Sequence, residues 1–246
     1  MKIVATSKFK IRTTLTAVLL SIFCVLISGS IWVIRKNAVD ALAENTEYKT
    51  VIIDAGHGGI DGGTAADDGT LEKDLNLQIA LKLDEMLRSM GVKTVLVRNT
   101  DISIHNETAK SVRQKKISDL KNRLKIMNET ENAIFVSIHQ NHFGQSKYCG
   151  TQIFYSKNNP LSATLAEKIR MPIITVLQNN NTREIKQSGT EIYLLYNAQI
   201  PAVMVECGFL SNAQEADNLK NEKYQQKLAF LITIGIIDYF TDTEDS

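Results

Sequence analysis

The sequence predicts an α/β domain built as a three-layer α/β/α sandwich around a mostly parallel or mixed sheet, preceded by one N-terminal transmembrane helix. Three observations carry that expectation. Short runs rich in β-branched residues alternate with helical stripes over most of the chain. Those runs are nearly continuous in apolar residues, as strands covered on both faces are. One long uncharged segment with a basic flank stands apart at the N-terminus.

The N-terminal run, residues 13–34, carries no charged residue. As a helix it would be roughly 33 Å long, about the thickness of a bilayer core. Lys2, Lys8, Lys10 and Arg12 precede it, and Arg35 and Lys36 follow it. The positive-inside rule keeps the basic segment 1–12 in the cytoplasm and exports the rest. The run exceeds the ~7–15 residues of a signal-peptide core. Ala41-Leu42-Ala43 resembles a cleavage site but lies beyond the two following cations. An uncleaved signal-anchor over 13–34 is therefore the expectation, with a cleaved signal peptide as its rival. Cys24, inside the run, reads as an apolar filler. Residues 35–47 read as a polar linker, 48–241 as the exported domain, and 242–246 as a tail.

Within that domain, strands are expected at 50–53, 94–97, 134–138, 152–155 and 202–205. Leu71, Leu75, Ile79, Leu83, Met86, Leu87 and Met90 recur at helical steps, and Gly91 then ends the helix. Ile117, Leu120, Leu124 and Met127 form a second stripe. Leu161, Leu165, Ile169, Ile173 and Val176 form a third, which Pro172 should kink or divide. A last helix covers Leu228, Leu231, Ile232, Gly235 and Ile236 and runs to about Phe240. Residues 101–118 are polar and read as the longest loop.

Composition limits the function classes. With 246 residues, 43% hydrophobic and 22% charged, the chain is globular rather than disordered or fibrous. Its 28 basic and 27 acidic residues argue against binding nucleic acid through phosphates. Residues 1–36 hold six of those cations and no acid, so the exported part is mildly acidic. Three cysteines do not make a disulfide framework.

The chemistry gathers where three of the expected strands end. VIID breaks into a glycine-rich loop carrying His57, IFVSI ends at His139, and AVMV ends at Glu206. In open α/β sheets, ligands bind at the carboxyl ends of strands. A second acid, Glu72, opens the helix after the glycine-rich loop, where the helix dipole favours it. Taken singly, a strand-end histidine is an ordinary loop residue, and Glu72 is an ordinary helix-start acid. Glu206 is harder to dismiss, because it interrupts an apolar strand and carboxylates are rarely buried unpaired. Gly56, Gly58, Gly59, Gly62 and Gly63 imply a sharp turn or a close approach. The loop fits neither GxxxxGK[ST] nor GxGxxG, so a nucleotide cradle is a poor match. Two histidines and a carboxylate with an open fourth position make a catalytic zinc arrangement. The remaining carboxylate would then serve as general base. Spacing alone goes no further than an exported α/β domain with a zinc hydrolase as one reading.

Four blocks narrow this. VIIDAGHGGIDGG, LEKDLNLQIALKL, FVSIHQNHF and PAVMVECGFLSN together resemble the zinc-dependent N-acetylmuramoyl-L-alanine amidases of the amidase-3 family, in that family's order. The resemblance covers about residues 48–240 and implies a six-stranded sheet. It implies hydrolysis of the amide between the lactyl group of N-acetylmuramic acid and L-alanine in peptidoglycan. Carried over, His57, Glu72 and His139 would hold Zn²⁺, and Glu206 would be the catalytic carboxylate. Asn141 and Arg183 match positions expected to line the substrate groove. The anchor, the 101–123 stretch and NTREIKQSGTEIYLL are most similar to the spore-cortex, germination-specific amidases, which serve formation of muramic-δ-lactam. That similarity implies action outside the cytoplasmic membrane, in the forespore intermembrane space, and leaves dependence on an exported activator open. His142 and Cys207 depart from the common pattern, and both are expected to pack rather than react, while His105 is expected in solvent. No blocking insertion is evident in 156–183. The rival readings are a catalytically inactive amidase-like domain that binds peptidoglycan or a regulator, and a zinc peptidase acting on stem-peptide crosslinks.

Overall fold

The structure is a computed structural model that describes residues 50–242, together with helical residues 21, 23, 25–30 and 33. Among the described residues no helix is long and apolar enough to cross a membrane. The rest of the expected anchor, including Cys24, the linker and the tail beyond Asp242 lie outside the described residues.

The domain runs β1 (Thr50–Ala55), α1 (Glu72–Ser89), β2 (Lys93–Leu96), α2 (Val112–Glu129), β3 (Ala133–Asn141), β4 (Gln152–Tyr155) and α3 (Leu161–Pro172). A π-helical turn (Ile173–Leu177), β5 (Lys186–Gln187), α4 (Tyr193–Asn197), β6 (Ala202–Phe209), α5 (Ala213–Lys220) and α6 (Glu222–Asp242) complete it. The six-stranded sheet has the order β2-β1-β3-β6-β4-β5. The pairs β1–β2, β1–β3, β3–β6 and β4–β5 are parallel, and β4–β6 is antiparallel, so the sheet is mixed.

Strand alternation divides the buried residues between two cores. Val51, Ile53, Ile134, Ile138, Val203 and Val205 pack with α1, α3 and α6 in the larger one. Ile52, Phe135, Ala202 and Met204 pack with Met127, Leu194 and Leu195 beneath α2 and α4 in the smaller one. Helices thus cover both faces, as expected.

All five expected strands are present. The sixth, β5, is two exposed polar residues and carries no hydrophobic signal. Helix α1 ends as expected: Gly91 has φ +84°, its N–H donates to the Arg88 carbonyl, and the Val92 N–H donates to that of Leu87. Pro172 closes α3, and the chain continues as the π-helical turn. The expected 101–118 loop is wrong at its end, because α2 already begins at Val112. Ser111 accepts from the Gln114 N–H while the Gln114 side chain accepts from the Ser111 N–H. That capping box satisfies two helix-start donors and sets the boundary. The apolar stripe assigned to α2 is only half right: Met127 is buried, but Ile117 and Leu120 are 44% and 37% exposed. The last helix starts at Glu222, well before its apolar stripe, and α4 and α5 are additions to the expected elements.

Candidate metal centre and its cleft

The glycine-rich loop after β1 is shaped by what must approach it. A Cβ on Gly56 would lie 2.1 Å from His139 Nε2, so the imidazole occupies the space a side chain would need. A Cβ on Gly63 would lie 2.5 Å from Glu72 Oε2 and 2.8 Å from His57 Cδ2, and Gly63 also has φ +70°. His57 itself has φ +61°, a strained backbone for a residue with a side chain. Two buried arginines hold this backbone. Arg98 donates to the carbonyls of Ala55, Gly56 and Lys73, and Arg123 donates to those of Ala55 and His57.

Sheet register supplies the other side. His139 on β3 pairs with Glu206 on β6. Alternation puts both on the face of Phe135 and Met204, the smaller-core side. Glu72, in the first turn of α1, is 3% exposed and reaches between the two histidines. Its Oε1 lies 2.9 Å from His139 Nδ1, and its Oε2 lies 3.2 Å from His57 Nε2. Oε1 also accepts from the Gln140 N–H and the Asn76 amide, and Oε2 from the Thr64 N–H. The two imidazoles meet edge to face with centroids 4.9 Å apart. One ligand atom from each of His57, Glu72 and His139 lies within 4.8 Å of the others, so this group could hold a metal ion. Two imidazoles and one carboxylate suit zinc better than calcium or magnesium, which prefer all-oxygen sets.

The charges respond to this crowding. Burial works to raise the Glu72 carboxyl, but the hydrogen bonds and charges of His139 and His57 outweigh it and hold the group well below the carboxylate range. Burial lowers His57, yet its hydrogen bonds to Asp61 and Glu72 prevail and lift it to about 9. Glu206 has no such partner. Its Oε2 is shut away from solvent and accepts no hydrogen bond. Burial, reinforced by the Glu72 charge, pushes the Glu206 carboxyl up to about 7. Two acids in one site therefore differ in kind: one is pinned as an anion between imidazoles, and the other is poised to take up or release a proton near neutrality.

A cleft of about 330 Å³ opens over these groups, lined by His57, His139 and Glu206 and walled by Leu120, Ile192 and Tyr193. Beneath it lies a network the sequence reading did not pick out. Arg123 pairs with Asp54 and Asp119, and Ser137 donates to Asp54 at 2.6 Å. Burial works to raise the Asp54 carboxyl, but Arg123 outweighs it and keeps it low. Asp54 interrupts an apolar strand as Glu206 does, so the same signal was available for it.

The remaining expected residues fall elsewhere. Asn141 ends β3, where its carbonyl accepts from the Leu210 N–H. Arg183 stacks over Phe209 at 4.8 Å, donates to the Cys149 carbonyl, and lines a separate cleft of about 510 Å³. Cys207 is fully buried, and burial pushes its thiol far up, as expected of an inert packing residue. His142 is exposed, not packed, since the chain leaves the sheet at Asn141. His105 is not simply solvated: its Nδ1 lies 2.8 Å from Ser103 Oγ. None of residues 156–183 lines the metal-side cleft.

Fold and site together define a three-layer α/β domain in which two histidines and a carboxylate gather at one edge of the sheet. The family model described as N-acetylmuramoyl-L-alanine amidase matches residues 51–238, and the chain belongs to that amidase-3 family and is an N-acetylmuramoyl-L-alanine amidase. It is 35% identical over 201 residues to the germination-specific N-acetylmuramoyl-L-alanine amidase of Bacillus subtilis, covering 80% of this chain and 82% of the relative. Among solved structures it is similar to the CwlD amidase from Clostridioides difficile in complex with the GerS lipoprotein. That match has 46% identity and a TM-score of 0.76, and covers 79% of this chain and 99% of the other. AmiC2 of Nostoc punctiforme matches with 28% identity and a TM-score of 0.67, over 80% of this chain and 99% of its own.

Proposed function

We propose that this amidase is zinc-dependent, cleaves the amide between the lactyl group of N-acetylmuramic acid and L-alanine, and acts on spore cortex toward muramic-δ-lactam. His57, Glu72 and His139 would hold the zinc. When bound, zinc supplies a Lewis acid that polarises the lactyl carbonyl and makes water nucleophilic near neutral pH. Glu206 takes the proton from the attacking water and delivers it to the departing L-alanine nitrogen. Glu206, one strand away from His139, lines the same cleft while its Oε2 has no hydrogen-bond partner, and that is the observation that supports this role best. A carboxyl with a pKa near 7 exchanges protons in both directions at neutral pH. Leu120, Ile192 and Tyr193 wall off water and give the substrate an apolar seat.

The cortex assignment draws on the similarity to the germination-specific relative and to CwlD. Because that neighbour was solved with a lipoprotein, an exported lipoprotein is the partner class proposed here. The N-terminal apolar run is proposed to carry the enzyme across the cytoplasmic membrane and anchor it on the outer face. Arg183 and Asn141 are proposed to contact the stem peptide beyond the reacting bond. The decisive experiment quantifies zinc on the full chain and reads the products of cortex peptidoglycan by mass. One zinc per chain and stem peptides beginning at L-alanine are expected. Glu206→Gln should keep the zinc and lose roughly 10²–10⁴-fold in rate. A fully active Glu206→Gln enzyme would remove Glu206 from the reaction.

A further inference from the structure

Helix α2 carries Lys116, Asp119 and Arg123 at three- and four-residue steps, which places them on one face. That face meets the loop bearing His57. Arg123 Nη2 donates to the His57 carbonyl at 2.6 Å. Lys116 Nζ lies 2.7 Å from Asp61 Oδ1. The other oxygen, Asp61 Oδ2, lies 3.0 Å from His57 Nδ1. Across the imidazole, Nε2 faces Glu72 Oε2 at 3.2 Å. A continuous line therefore runs from Lys116 through Asp61 and His57 to Glu72.

We infer that Asp61 is the positioning residue of the metal centre: it accepts the Nδ1–H of His57, which leaves the Nε2 lone pair for the metal, and Lys116 fixes the Asp61 carboxylate. The inference rests on the zinc reading above. A neutral imidazole has one N–H and one lone pair, and the partner of one nitrogen decides which nitrogen ligates. A carboxylate on the far nitrogen also raises ligand basicity and stops ring rotation. His57 needs that restraint more than His139 does. His139 lies in β3 with its Nε2 against Gly56, whereas His57 lies in a glycine-rich loop at φ +61°. Asp61 is itself placed by a tight turn. The Gly58 N–H donates to the Asp61 carbonyl at 2.9 Å, and the Asp61 N–H donates back at 3.1 Å. Asp61 is not a fourth ligand in this arrangement, because its Oδ2 meets the nitrogen opposite the one facing Glu72. Nor is the ion pair with Lys116 a stability device, since part-exposed pairs contribute little.

The test measures zinc affinity of the full chain by competition with a chelator, and records the visible spectrum after cobalt replaces zinc. Asp61→Ala is expected to bind zinc about 10–100-fold more weakly than the parent and to shift the cobalt bands. Asp61→Asn, which keeps an acceptor oxygen, should recover part of that loss, and Lys116→Met should weaken zinc by a smaller factor. The metal-free variants should keep the parent's circular dichroism spectrum, which separates loss of zinc from loss of fold. If Asp61→Ala binds zinc within twofold of the parent and leaves the cobalt bands unmoved, the inference fails while the zinc reading stands. A parent that binds no zinc overturns both. Should Asp61→Ala not fold, unchanged affinity in both Asp61→Asn and Lys116→Met overturns the inference.

Discussion

Gly56→Ala adds one methyl group at the place where the structure has least room for it. The new Cβ would lie 2.1 Å from His139 Nε2, 2.3 Å from Cε1 and 2.6 Å from Cδ2. Carbon atoms in ordinary contact sit ~3.5–4.0 Å apart, so the imidazole must retreat by more than about 1 Å. Its Nδ1 is fixed 2.9 Å from Glu72 Oε1, and that bond cannot survive such a displacement unstretched. A misplacement of about 1 Å at a reacting centre costs ~10²-fold in rate, and overpacking costs ~1–3 kcal/mol in stability. Gly62→Ala in the same loop supplies the contrast. There the nearest atoms are the Leu71 methyls at 3.5 and 3.7 Å, an ordinary contact. Muropeptide release and zinc content, measured on both variants, should therefore separate them. Gly56→Ala should lose at least about a hundredfold in activity and bind zinc more weakly, and Gly62→Ala should stay within about threefold of the parent. Equal behaviour of the two would refute the claim that His139 is what makes Gly56 a glycine.

Three further outcomes follow from the same geometry. In the metal-free enzyme His57 is lifted from 6.5 to about 9, so the stability its proton contributes is fully present below about 6.5 and is lost as pH rises through about 9. Zinc must displace that proton, so metal-free melting should fall and zinc affinity should rise across this window, and melting that instead climbs toward pH ~9 contradicts the assignment. Arg123→Met strips the partner from the buried Asp54 and Asp119 carboxylates and should cost ~3–5 kcal/mol, or roughly 10 °C in melting temperature. A drop below about 2 °C would show that the network is relaxed by water or protonation. Gly235→Ala puts a Cβ 2.5 Å from the Ile169 Cα and the Lys168 carbonyl oxygen, where α6 crosses α3. The better helix propensity of alanine, about 1 kcal/mol, should be outweighed by the clash with backbone, and a variant melting at or above the parent would disprove that close crossing.

Much of this molecule is written in short stretches of chain. Five strands announce themselves because each is a local apolar run, and Gly91 marks the end of α1 because its backbone is left-handed there. His57, Glu72, His139 and Glu206 were legible because strand ends, a glycine-rich loop and one misplaced acid are local signals. The start of α2 was legible too, in Ser111 and Gln114, but the polarity of 101–118 masked it. The two-residue β5 had no signal, since it is a strand only through its partner β4.

The sequence by itself determined five of the six strands, most helix positions and the family, because each depends on near neighbours in the chain. Tertiary structure alone decided what those residues are to one another. Glu72 and Glu206 are both glutamates near apolar segments, yet only the fold places one between two imidazoles and leaves the other with an oxygen shut away from solvent and without a hydrogen bond. Only the fold brings Arg123 under Asp54, Asp61 onto the far nitrogen of His57, and the His139 imidazole into the space over Gly56. Periodicity is a property of a few consecutive residues. Desolvation, pairing and close approach depend on atoms that the chain brings together from far apart, so they exist only once the sheet has set its register.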